Sequence, residues 1–439
     1  MRVLRTAASL AALLGSLALA PTTARSQATR LTLGHDSTTW VGVSGQLRLR
    51  AEGWNGFGAG APVGAEHDDV FGLGRLLTRG EFHLRSTLAV VAELKSSLGA
   101  GRTLPGGLRP SDEDVFDVEQ LYGELGAGAA RSRVAVRAGR FELLLGRERL
   151  VSPLDWANSR RTFQGASARA TFGRTDALVF WVRPVIMRQR RADGPDSSRA
   201  LYGAQLSRTW PGLKAELYWL RTESNLGTFN GTAGPERRHT VGYRINRVPA
   251  ARRIDADVEM AAQFGTVGGS SVAAWMLGSQ VGWTFAGRPA ARVYAGFDAA
   301  SGDRASGGAV QTFSQLFPLG HAFLGYADVH GRQNVVDLSI GTSIKPARDL
   351  SLQLDAHDFW RASRADALYA VDGSVSRPAG TGLPSRVGAE VDLTARRALL
   401  GGRVALQAGA SHYFAGPFLK QSGPGQDINW VYSQVTASF

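Results

Sequence analysis

Charged side chains recur at every second position along much of this chain, and their types suit the binding of carboxylates. Gln46, Arg48, Arg50 and Glu52 alternate with Gly45, Leu47, Leu49 and Ala51. Arg79, Glu81, His83 and Arg85 alternate with Gly80, Phe82 and Leu84, and Glu93 and Lys95 with Ala92 and Leu94. Further on, Asp255, Asp257 and Glu259 alternate with Ala256, Val258 and Met260, and Glu390 and Asp392 with Ala389, Val391 and Leu393. A period of two sets the charges on one face of an extended strand and the apolar residues on the other. On such a face an arginine fork can hold both oxygens of a carboxylate. The cations assigned to it are Arg48, Arg50, Arg79, Arg85, Lys95, Arg137, Arg161, Arg169, Arg183 and Arg244. The acids come later, at Asp255, Asp257, Glu259, Asp337, Asp355, Glu390 and Asp392. Groups arranged for bond-breaking chemistry do not stand out. There is no nucleophile elbow, no HExxH pair and no convincing Ser/His/Asp set, so no enzyme, cofactor or catalytic metal is expected.

The elements that must position these faces are strands, and helical stripes are scarce. Eighteen candidate strands fall near 40–52, 74–86, 87–97, 115–127, 132–146, 160–173, 174–188, 200–210, 212–223, 237–247, 253–265, 273–285, 290–299, 332–345, 349–360, 384–396, 401–414 and 427–439. Sixteen strands is the alternative count. Short links with turn residues, such as Gly173-Arg174 and Pro211-Gly212, alternate with long ones. The chain ends on Phe439 inside a strand that carries Val431, Val435 and Ala437 on one face. An all-β transmembrane antiparallel barrel of eighteen strands fits all of this, with short periplasmic turns and long outer loops. Arg2 and Arg5 followed by the apolar stretch Ala7 to Ala20 read as a secretory signal over 1–26, leaving 27–439 as the barrel. Removing Arg2, Arg5 and Arg25 with that signal lowers the formal charge of +13 by three, to +10. The absence of cysteine excludes disulfides, thiol chemistry and lipid attachment through cysteine. An exported basic chain meets lipopolysaccharide and anionic solutes rather than nucleic acid.

One stretch resembles a known family. Arg137-Ala138-Gly139-Arg140-Phe141-Glu142-Leu143, continuing through Gly146-Arg147-Glu148-Arg149 to Pro153-Leu154-Asp155-Trp156-Ala157-Asn158 and Arg160-Arg161-Thr162-Phe163-Gln164-Gly165, looks like the central motif of alginate-export porins. Phe313 to Asp328 with Gly331-Arg332-Gln333-Asn334, and Ser411 to Gly416 with Asp427-Ile428-Asn429, match the same family. The resemblance implies a monomeric eighteen-stranded outer-membrane pore that passes an anionic uronate polymer through an arginine-rich constriction, with a periplasmic export complex as a possible partner. It adds Arg140 and Glu142 to the candidate lining. Ser167 stands where the family has an inward basic residue, and Arg169 is the nearest substitute.

The expected lumen therefore has a basic wall in the first ten strands and an acidic wall facing it, a transverse field that offers anions a track of guanidinium sites. Two alternatives stand beside this reading. In one the charges simply brace one another across a general pore; in the other the barrel is a loop-plugged receptor or adhesin. A plug domain ahead of strand one is not accommodated by the sequence. Lesser features have plain readings. Asp112, Glu113, Asp114 and Asp117, and separately Glu66, His67, Asp68 and Asp69, are acidic loop clusters with the residue types of a calcium site, and solvated loops are the simpler account. His357 beside Asp355 and Asp358 reads as a lumen hydrogen bond. Arg188, Arg190 and Arg191 suit lipopolysaccharide phosphates or an entry funnel. Trp40, Trp181, Trp219, Trp283, Trp360 and Trp430 suit an interfacial girdle, and the loop Gly302 to Arg332 is long enough to enter or cap the pore.

Overall fold

Alternating strands that expose their apolar faces must close on themselves in lipid, because an open edge there would leave backbone groups unbonded. The computed structural model describes residues 29–33, 38–57, 68–104, 106–129, 131–287 and 289–439, so the expected signal segment lies outside the described residues. The barrel strands are β1 Thr39–Asn55, β2 Asp69–Leu84, β3 Leu88–Ala100, β4 Asp114–Ala129, β5 Ser132–Phe141 and β6 Phe163–Phe172. They continue as β7 Thr175–Ile186, β8 Arg199–Trp210, β9 Leu213–Phe229, β10 Thr232–Arg247, β11 Arg253–Val267 and β12 Ser270–Thr284. The last six are β13 Arg292–Ala300, β14 Val335–Ala347, β15 Leu350–Trp360, β16 Arg386–Leu399, β17 Val404–Ala415 and β18 Ile428–Ser438. Each pairs antiparallel with its chain neighbours, and β18 returns to β1 in the register Gln46↔Ser438 to Asn55↔Asn429.

The seam is finished by backbone bonds between Gly45 and Phe439 in both directions, at 2.7 and 3.0 Å. The terminal ring lies over Gly45, where a Cβ would sit 2.4 Å from it. Beyond the end of β18, the short strand Thr29–Thr32 pairs with Trp40–Val43 and continues the row.

Burial is inverted relative to a water-soluble protein. Arg48 and Arg50 are 3% and 6% exposed while Leu47 and Leu49 between them are 41% and 56% exposed. Polar side chains thus face inward and leucines face lipid, the arrangement a membrane barrel requires.

Several strands differ from their expected bounds for identifiable reasons. β5 stops at Phe141 rather than 146 because Leu143 and Leu145 turn inside and are buried. β9 and β10 run further than expected and meet at Asn230-Gly231, both with positive φ (40° and 85°). That dipeptide is the usual two-residue hairpin turn and was readable from sequence.

The apolar core lies within the barrel. The β5–β6 loop (142–162) and the β13–β14 loop (301–334) both fold inward, so the second of these enters the pore. They join by a parallel bridge between Val151 and Phe317. Phe317 N donates to Leu150 O at 2.8 Å and Ser152 N to Phe317 O at 2.9 Å. Phe163, Phe313 and Phe359 pack there fully buried. The β15–β16 loop (361–385) joins them, with Gly331 N donating to Tyr369 O at 2.8 Å.

Candidate functional site

Thirteen of the sixteen candidate lining residues are strand residues; Arg85 lies in a turn, and Arg161 and Glu142 in the inward β5–β6 loop. Arg48, Arg50, Arg79, Lys95, Arg137, Arg169, Arg244, Asp257, Glu259, Glu390 and Asp392 face the interior, as does Arg140 at the end of β5. What each side chain touches there divides them into three groups.

The first group holds the β5–β6 loop. Arg48 donates to the carbonyls of Asp155 (2.7 Å) and Ala157 (2.6 Å), and Arg50 to that of Trp156 (2.7 Å). Arg50 also lies over the Trp156 ring and pairs with Glu52 at 2.9 Å. Arg75, which the sequence reading missed although it shares the parity of Arg79, bonds Gln46 (2.7 Å) and the Asp155 carboxylate (2.8 Å). It also reaches the carbonyls of Asp155 and Ala157 at 3.2 Å. Three arginines on β1 and β2 thus grip three consecutive peptide groups.

The second group is neutralised by carboxylates. Lys95 sits 2.8 Å from both Asp114 and Asp193 and donates to Ser159. Arg140 bonds Asp117 and the Asp193 carbonyl. Asp114, Asp117 and Asp193 converge closely enough to hold a metal ion, but the Lys95 ammonium already stands between two of them. Of the other acidic cluster, Glu66 and His67 lie outside the described residues, and Asp69 accepts the amides of Thr103 and Leu104. Arg244 bridges Glu216 and Asp257, and Arg149 reaches Asp257 at 2.6 Å and Glu259 at 3.4 Å.

The acidic wall is covered rather than open. Glu390 accepts Ala327 N from the inward β13–β14 loop at 2.7 Å, and Asp337 accepts His357. Asp337, Glu390 and Asp392 are 0–2% exposed. The expected transverse field therefore lacks an open acidic face at these three residues, with the inward loop lying over Glu390. Trp430 likewise turns inward into an aromatic cluster with Trp156 and Tyr432, and Trp40 stacks inside on His83. Trp181, Trp219 and Trp283 are exposed on the outer wall.

The third group borders open space. A cavity of about 370 Å³ is lined by Glu124, Arg133, Arg137, Arg169, Ser167 and Thr171 from β4–β6, with Phe141, Glu142 and Leu143 above. Arg133 and Arg137 share one carboxylate, Glu124, at 3.2 and 2.8 Å, while Arg169 is exposed with no ion pair among the described residues. At the loop, Arg160 bonds Glu142 (2.9 Å) and Asp155 (3.1 Å), and the Asp155 side chain is 58% exposed. Burial pushes the Glu142 carboxyl up to about 8 despite Arg160. Against the desolvation of its place inside the barrel, Arg75, Arg160 and Arg48 together hold the Asp155 carboxyl well below the usual carboxylate range. Arg161 donates to the carbonyl oxygens of Ser152 and Pro318 and lies over the Phe317 ring, and burial lowers it to about 10. Arg147 is 39% exposed, 4.0 Å from Asp257.

Two candidates do not belong to the lumen. Arg85 sits in the exposed turn after β2 with φ 52°, because β2 ends one residue earlier. Arg183 shares the outward face with exposed Trp181, lies over its ring and donates to the Ser197 carbonyl. In β7 both faces are apolar, so alternation alone assigned it the wrong side.

The family profile described as alginate export matches residues 39–431, almost the whole described barrel. The chain belongs to the alginate export family. Its barrel is that of an outer-membrane channel, and its place is the bacterial outer membrane. The fold is also similar to that of solved Pseudomonas aeruginosa channels. OccK11 (OpdR) has a TM-score of 0.55 at 16% identity, with 90% of this chain and 95% of that one covered. OpdO has 0.59 at 14%, covering 90% and 97%. OccK2 (OpdF) in complex with glucuronate has 0.58 at 11%, covering 91% and 98%. A search of curated proteins finds no match.

Proposed function

We propose that this barrel passes small organic anions of uronate size along the lumen wall formed by β4–β6 and the inward β5–β6 loop. The observation that carries the reading is the set of cations bordering open space. Arg133, Arg137 and Arg169 share a cavity of about 370 Å³ with Glu124, which pairs with the first two, and with Glu142, which Arg160 engages. A solute carboxylate can bridge two such forks. Because the sites are partly solvated, each is weak, and a succession of weak sites conducts better than one deep one. The glucuronate bound to OccK2 (OpdF) is compatible with a permeant of this class.

Two inward loops joined through Val151 and Phe317 narrow the passage, which favours single residues or short oligomers over a thick polymer. A second reading, a general pore with structural charges, draws support from the many lumen cations already engaged by carboxylates, among them Lys95, Arg140 and Arg244.

The test is the reversal potential of the purified protein in a planar bilayer under a salt gradient, repeated with glucuronate and its oligomers. Anion-selective current that glucuronate blocks supports the proposal. Unselective current indifferent to uronates refutes it in favour of the general pore.

A further inference from the structure

The eight short turns all lie at one end of the barrel, because every strand reverses direction. Six of them carry an arginine among the described residues of the turn itself: Arg85, Arg131, Arg174, Arg252, Arg348 and Arg403. All six are exposed. Among the described residues of these turns Asp349 is the only acid, and it is engaged by Arg397. Arg131, Arg174, Arg252 and Arg348 make no ion pair among the described residues. The opposite end is mixed in sign. Its loop 187–198 sets Arg188, Arg190 and Arg191 against Asp193 and Asp196. The positive excess of the chain is thus concentrated on a single rim.

Two further observations bear on what the rim meets. Arg85 and Arg252 have φ of 52° and 58°, left-handed positions where glycine or asparagine is the ordinary occupant. An arginine there is not explained by turn geometry. Next to the turns, Phe172, Trp210 and Phe285 are exposed, with Phe172 and Trp210 on the lipid face. Arg208 places its guanidinium over the Trp210 ring at 5.5 Å. Rings at strand ends mark the boundary between hydrocarbon and headgroups, so the turn arginines stand at headgroup height.

We propose that this rim is a collar that binds the phosphate groups of anionic phospholipids in the inner leaflet. The distribution selects this partner. The six turns run from β2 to β17 around the whole circumference, as lipid does, whereas a docking protein reads one sector. A permeant enters near the axis, where Arg133, Arg137 and Arg169 stand instead. Guanidinium forks suit phosphate oxygens, and each basic residue at an anionic lipid surface strengthens binding roughly five-fold.

The experiment uses the full chain and the triple variant Arg131→Gln, Arg174→Gln, Arg348→Gln, all three exposed and unpaired. Each is reconstituted with phosphatidylcholine alone or mixed with phosphatidylglycerol, extracted mildly, and weighed by native mass spectrometry for retained lipid. The parent is expected to enrich phosphatidylglycerol, with the enrichment falling at high salt. The triple variant should lose on the order of 100-fold of that preference. Unchanged migration of the unheated barrel on a gel verifies that the variant has folded. Equal retention of the two lipids by the parent overturns the collar. So does a triple variant that keeps the preference, or one that keeps it while losing entry of glucuronate or capture of an acidic periplasmic protein.

Discussion

Replacing Arg75 by methionine tests whether the inward β5–β6 loop is held by side chains of the wall. The change keeps most of the volume and removes the charge. Arg75 donates to the carbonyls of Asp155 and Ala157, but Arg48 also bonds both, at 2.7 and 2.6 Å, so neither carbonyl is left bare. What is lost is the charge-assisted bond to the Asp155 carboxylate at 2.8 Å and the bond to Gln46. Breaking a buried ion pair costs about 3–5 kcal/mol. Asp155 is 58% exposed and keeps Arg160 at 3.1 Å, which argues for a discounted value of about 2–3 kcal/mol for the bonds to its carboxylate and to the Gln46 amide together. At 1.4 kcal/mol per tenfold, the unseated loop becomes roughly 30- to 140-fold more populated. The barrel ladder is untouched, so the variant still folds. Single-channel recording should then show frequent openings above the parent conductance. A record with the same frequency and size of openings as the parent would refute the idea that this arginine seats the loop.

Other perturbations read different parts of the structure. Arg169→Glu places a carboxylate opposite Arg133 and Arg137 and should lower the anion-to-cation permeability ratio several-fold; an unchanged reversal potential would remove this cavity from the pathway. Glu142 is raised to about 8, chiefly by burial, with Glu119, Glu93 and Asp155 opposing its ionisation and Arg160 favouring it. An acid shifted upward is neutral at pH 7 and becomes charged as pH rises through about 8, so any stability its neutral form contributes is lost in that direction. Anion selectivity should therefore fall between pH 7 and 9, and Glu142→Gln should abolish the fall. Gly45→Val drives a side chain into the Phe439 ring and the Leu77 carbonyl, costing about 1–3 kcal/mol at the seam. Its denaturation midpoint in detergent should drop, and a midpoint equal to the parent's would argue against a tight closure.

The fold was largely legible in the sequence, because lipid imposes a strict rule on every strand. Alternation over nearly the whole chain, the short turns and the terminal Phe439 carried the strand count and the closure. The site was less legible. Alternation tells which face Arg48 occupies but not that its partners are carbonyls of Asp155 and Ala157, more than a hundred positions away. Where Val179 to Val182 is apolar on both faces, alternation loses its meaning, and Arg183 was misassigned. The inward turn of the β5–β6 loop did leave a signal. Leu143, Leu145, Leu150 and Val151 are too apolar for a loop left in water, and all four are buried.

The chemistry of the partners decides what a lumen arginine does for an anion. Lys95 and Arg244 face carboxylates, so their charge is cancelled locally. Arg48 and Arg161 donate to carbonyls, which hold the guanidinium without neutralising it. Arg48 is 3% exposed and so holds no solute itself. Its charge still acts on the lumen, because Coulomb attraction is screened less inside a narrow, partly dry passage than in bulk water. An arginine gripped by peptide groups therefore attracts anions without trapping them, and leaves direct contact to the few partly solvated forks at Arg133, Arg137 and Arg169. A pore gains throughput from that separation, since attraction brings solutes in and only weak contacts let them leave.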